Sequence, residues 1–228
     1  MIQPADVRLY RRATAAALVL APALLLFDNI LHPKEVERGN EAEQLIEIAQ
    51  HHERWQIAHA LGFVAILVFA AAVLGLAFVV RRRHPRAGLW GGALGLLGLM
   101  SFAAVITLDG FTWGVLGETY TRRGVAPTTV ETVLHEVQQS SWVLIYYVPT
   151  LAFIVGIALL ALNAARQGAV PMWAGGLLAL GALLAAVETV VISNAYFIFA
   201  SAVLLAGGTA VALHLARLSD EEFARGGK

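Results

Sequence analysis

Asp28 and His32 are four residues apart, so any helix that carries them presents both on one face. Neutral imidazole and carboxylate together suit Zn²⁺, Fe²⁺ or Cu²⁺. His52 and His59 are seven apart, on one face but separated by about 10 Å along a helix axis, too far to share an ion. A metal shell must therefore be drawn from different segments. The candidate ligands are His32, His59 and His135, with Asp28 or Asp109. In a catalytic version a metal-bound water is the nucleophile and Asp109 or Glu188 its base. The competing expectation is structural: the acids end helices, and His59 and His135 bond to them or to carbonyls and hold helices together. A haem clamped by His59 and His135, a quinone, or a transported substrate are the remaining uses. For His51, His52, His84 and His214 a solvated or packing role is expected, and the acid run Glu35 to Glu47 reads as a solvated helix face.

Other chemistries are excluded by what the sequence lacks. There is no cysteine, hence no disulfide, thiolate ligand or cysteine nucleophile. Lysine occurs only at Lys34 and Lys228, so no GxxxxGK[ST] loop forms and no lysine falls in an apolar run to hold retinal. No GxSxG or HExxH is present. A net charge of zero gives no single-sign field for nucleic acid.

The elements that must position these residues are membrane helices. Hydrophobic residues make up 58% of 228 and charged residues 14%, with a mean hydropathy of +0.70. A soluble domain is about a quarter charged. The excess apolar residues form runs of about 20, the length that crosses a bilayer core of about 30 Å. Hydropathy places spans near 13–33, 55–80, 88–117, 139–163, 171–192 and 195–216. The expected fold is an all-α, six-helix membrane bundle in one domain over 1–228, with two partly helical outer loops. The first span follows Arg8, Arg11 and Arg12, yet it is too long for a signal-peptide core and reads as an anchor.

Arginine and lysine set the expected orientation. The N-terminus, the 81–86 turn, Arg166 and the C-terminal tail carry more cations than the opposite side, which has Lys34, Arg38, Arg54, Arg122 and Arg123. Both termini are therefore expected in the cytoplasm. The Lys-poor, Ala/Leu/Gly-rich composition reads as bacterial, which places the chain in an inner membrane with the lipid bilayer as its surroundings. On this map Asp28, His32, His59, Asp109, His135, Glu188 and Asn194 all fall in the outer third of the membrane. Ionisable groups at that depth usually pair or serve a function.

Asn40 with Glu43 and Thr128 with Glu131 resemble capping boxes. They predict outer helices that run into spans two and four. Pro149 is expected to kink span four. Leu89-Trp90-Gly91-Gly92 and Met172-Trp173-Ala174-Gly175-Gly176 suggest a repeat of three helical hairpins, and the Gly88/Gly92 and Gly91/Gly95 spacings predict close helix packing. The function expected from all this is an outward-facing His/Asp/Glu site, metal-binding or not, that acts on or senses a lipid or small molecule at the outer leaflet. The alternatives are a non-catalytic membrane subunit with a structural cluster and a small transporter.

Overall fold

A computed structural model describes residues 4–33, 41–121, 126–139, 143–187 and 193–227. The described residues are helical, with no strand among them. In chain order the helices are α1 (Pro4–Leu31), α2 (Glu41–Gln50), α3 (His52–Val80), α4 (Pro85–Thr121), α5 (Pro127–Gln139), α6 (Val143–Arg166), α7 (Met172–Val187), α8 (Asn194–Arg217) and α9 (Asp220–Arg225). Four of them contain stretches long and apolar enough to cross a membrane: Asp6–Leu31, His52–Val80, Pro85–Thr121 and Asn194–Arg217. Shorter apolar stretches, Leu151–Arg166 and Met172–Ala185, belong to α6 and α7.

The six apolar helices close a ring. α1 packs on α3 and α8, α3 on α4, α4 on α6, α6 on α7, and α7 on α8. α3 also touches α6 across the middle, and its inner face is buried at Ala65, Ile66, Phe69, Ala72, Val73 and Leu76. Lipid cannot drive apolar helices together, so contact depends on how closely backbones approach. α4 and α6 meet at Gly95 and Gly156, where any Cβ on Gly156 would overlap the Gly95 backbone.

Hydrogen bonds sort the helix ends into two groups. At one end, Asp220 of α9 accepts from Arg8 Nε at 3.2 Å and Arg11 Nη2 at 3.0 Å. Arg83 in the α3–α4 turn donates to Gln167 O at 3.1 Å, and Gln167 Nε2 donates to Val79 O. Phe223 of α9 is fully buried and stacks on Phe78 of α3. At the other end, Asn194 Nδ2 donates to Pro33 O at 3.2 Å and Arg54 Nε to Leu31 O at 3.1 Å.

α4 has 37 residues, about 55 Å at 1.5 Å per residue, well beyond a core of about 30 Å. Its last two turns leave the ring and are covered by α2 and α5. Leu45 and Val130 are buried there against Trp113, Leu116 and Tyr120.

Two local expectations are corrected. The outer helix before span two does not run into it: α2 ends at Gln50, and His51 leaves helical geometry at φ −120°, ψ 32°. The apolar stripe of α2 can then face α4 while α3 faces α1. The Thr128 capping box does not form either. α5 starts at Pro127, whose fixed φ and missing N–H suit a first helical position. Glu131 instead accepts from Tyr120 Oη at 2.8 Å. The proposed Asn40 cap lies outside the described residues, and Pro149 lies inside α6.

Candidate functional site

The polar residues of α1, α3 and α4 meet at the end of the ring that holds Pro33 and Asn194. α3 enters this region with Trp55, which is 2% exposed and donates from Nε1 to Gly110 O of α4 at 2.9 Å. One turn on, His59 turns toward α4. Its Nε2 lies 3.3 Å from Asp109 Oδ2, and its Nδ1 lies 2.9 Å from Trp55 O. A carbonyl can only accept, so Nδ1 carries a proton. Nε2 then faces a carboxylate. A second proton must lie between ring and carboxyl, either as an imidazolium–carboxylate pair or as a neutral imidazole with a carboxylic acid. In both forms the pair is neutral overall, which is what a low-dielectric setting favours.

α1 supplies the remaining groups. His32 Nδ1 lies 3.0 Å from Pro33 O, so this nitrogen too is the protonated one. The His32 ring sits 4.8 Å from the Trp55 ring and 5.2 Å from the His59 ring, and Trp55 and His59 are 4.2 Å apart, centroid to centroid. Asp28, one turn deeper on the same face of α1, is 8% exposed. Its carboxylate feels His59 and Asp109 electrostatically but forms no hydrogen bond with the described residues.

Two glycines make room for these side chains. A Cβ on Gly62 would stand 2.7 Å from Asp28 Oδ2, and a Cβ on Gly110 would stand 2.7 Å from the His59 ring. The Asp28 carboxyl and the His59 ring occupy volume that any other residue would fill. Beside the His59–Asp109 pair, a groove between α3 and α4 is lined by His59, Gly110, Phe63, Ile106 and Phe111, with Gln56 and Thr107 as its other polar groups. Phe63 is 38% and Phe111 72% exposed, so the groove faces outward from the ring.

Asp28, His32, His59 and Asp109 are thus brought together. His135 is on the exposed side of α5 and makes no hydrogen bond, ion pair or ring contact with the described residues. Glu188 lies outside the described residues. Among the described residues no group of three or more His, Asp or Glu side chains is arranged to hold a metal ion. Sequence reasoning missed Trp55 as the ring joining His32 to His59, though its place four residues before His59 was the available signal. It also missed His52, whose Nε2 lies 2.9 Å from Glu118 Oε1 on the protruding part of α4.

No protein-family model, curated protein or solved structure matches the chain.

Proposed function

We propose that the chain crosses a bacterial inner membrane six times, with both termini cytoplasmic, and that the Asp28–His32–His59–Asp109 site binds the polar head of an amphiphile entering sideways from the outer leaflet. The observation that carries this reading is the groove between α3 and α4, mostly apolar in its lining and reaching His59, whose ring bonds Asp109. A molecule lying there keeps its hydrocarbon part among Phe63, Ile106 and Phe111 and reaches a proton-sharing pair with its head. Binding or sensing is favoured over hydrolysis by a metal-held water, because the described side chains form pairs and not a three-ligand set.

A long-chain alcohol with a diazirine at its chain end tests this. After irradiation in membranes, peptide mapping should find label concentrated on the α3 and α4 residues of the groove. Ala60→Trp, which fills the groove from an exposed position, should remove that label. Label spread evenly over all outward-facing helices, or unchanged in the Ala60→Trp protein, would defeat the reading.

The second reading is that the cluster is a structural tie. The Trp55–Gly110 and His59–Asp109 bonds both join α3 to α4, which favours it. The two readings separate on the labelling experiment, since a tie needs no ligand in the groove.

A further inference from the structure

The charges around His59 narrow the head group that this site accepts. Asp109 approaches the ring from α4 and Asp28 approaches from α1, lodged against Gly62 one turn along α3. Asp109 leaves 43% of its side chain exposed, whereas Asp28 is almost wholly buried. Of the other cationic groups nearby, Arg54 Nε is bonded to Leu31 O, and His32 has Nδ1 committed to Pro33 O. Two carboxylates therefore flank one imidazole, and the ring bonds only one of them. Asp28 is a buried acid with no hydrogen bond from the described residues. Such a group needs either a proton or a cation close by.

We propose that the site recognises a protonated amine carried on a hydrocarbon chain, and that the amine takes the place of His59 against Asp109 while the His59 ring turns toward Asp28. This rests on the groove reading above and adds the chemistry of the head. With the amine bound, two cations face two carboxylates and the site is neutral. An anionic head would meet Asp109 directly and be repelled. A neutral alcohol would have to displace a charge-assisted bond with a weaker one. The His59 ring fills the space over Gly110, so turning away vacates room for the ammonium beside Asp109. Asp28 gives the displaced imidazolium a partner, so its charge is not stranded in a poorly solvated site.

Decylamine, decanol and decanoate share one tail and differ only in head, so binding of each to the purified protein in mild detergent at neutral pH is the test. Decylamine is expected to bind at least about tenfold tighter than either, the factor that one charged hydrogen bond supplies. Asp109→Asn should abolish that preference while leaving decanol binding in place. In the unsubstituted protein with ¹⁵N-labelled histidine, decylamine should shift the His59 Nε2 resonance and decanol should not. Asp28→Asn should remove that shift, since the ring then has nowhere to go. Equal binding of the three, tighter binding of decanoate, or an amine preference that survives Asp109→Asn overturns the proposal and leaves the groove reading standing. Failure of all three to bind overturns both.

Discussion

At the scale of single residues, two glycines set the geometry of the site. Gly110→Ala would place a methyl 2.7 Å from Cβ and from two ring atoms, Cγ and Cδ2, of His59. Turning the ring cannot relieve the contact with Cβ, so α3 and α4 must move apart, and the bond to Asp109 is lost with them. Overpacking of this kind costs about 1–3 kcal/mol, so the melting temperature in detergent should fall, and binding at the groove should fall with it. His59→Ala acts differently. It removes the partner of Asp109, whose side chain is 43% exposed, so the cost is that of an ordinary part-buried bond, about 0.5–1.5 kcal/mol. With His59 and Asp109 bonded to each other, a chelator is expected to leave the melting curve of the unsubstituted protein unmoved. Stoichiometric zinc, iron or copper on elemental analysis, with a chelator-sensitive melt, would support the metal reading instead. Asp28, His32, His59 and Asp109 stood out in the sequence because ionisable residues are rare in apolar runs. The glycine seats did not, since glycine in an apolar helix reads first as helix packing. His135 could not be told apart from its partners because its helix, α5, lies outside the ring, and a span map gives no lateral position.

At the scale of elements, the short helix α9 acts as a clasp. Ser219 caps it with a full capping box to Glu222, and Gly226 at φ 87° ends it in the left-handed conformation that glycine accommodates. Phe223 then seats fully buried beside Phe78, and Asp220 reaches Arg8 and Arg11. Partial desolvation opposes the charge on Asp220, but hydrogen bonds from Arg11 and Arg8 outweigh it and hold the carboxyl below its ordinary value. A lowered folded value means that the contribution is complete above the unfolded value, near about 3.9, and is lost as pH falls through the folded one. Amide protection of α9 should therefore be constant from neutral pH down to about 4 and drop below it. Phe223→Ala should cost about 3–5 kcal/mol of docking and expose Arg225 to trypsin, while binding at the distant groove is unchanged. Loss of groove binding together with α9 would show that the two ends are coupled. The Ser-x-x-Glu signal of this cap was present in the sequence, but six residues beyond the last apolar run carry too little hydropathy to register as an element. The α2–α3 break at His51 was hidden for the opposite reason. The helical spacing of Leu45, Ile48, His52, Gln56 and His59 continues across it, and only the different neighbours of the two helices reveal the turn.

At the scale of the whole molecule, the contacts and the charges answer separate questions about topology. The Asp220 bridges to Arg8 and Arg11, and the Arg83–Gln167 bond, gather the N-terminus, the α3–α4 turn, the α6–α7 turn and the C-terminus at one end of the ring. The Asn194–Pro33 and Arg54–Leu31 bonds gather the end of α1 and the starts of α3 and α8 at the other. The start of α1 and the end of α8 therefore lie at the same end of the ring. Which end faces the cytoplasm depends on arginine and lysine instead, because loops rich in them are retained there. The end that holds Arg8, Arg11, Arg81, Arg82 and Arg83 is the richer one. Hydropathy made the six apolar runs legible, whereas their ring order was not, since lipid-facing and helix-facing residues are equally apolar. Reporter fusions after residue 228 and before residue 1, with a third inserted between 34 and 40, test both inferences. The two terminal reporters should be cytoplasmic and the third external. Terminal reporters on opposite sides would break the ring itself, because Asp220 could not then reach Arg8. Both termini outside, with the third inside, would keep the ring and reverse it. The His59–Asp109 pair would then face the cytoplasmic leaflet, and the amine-bearing amphiphile would have to come from there.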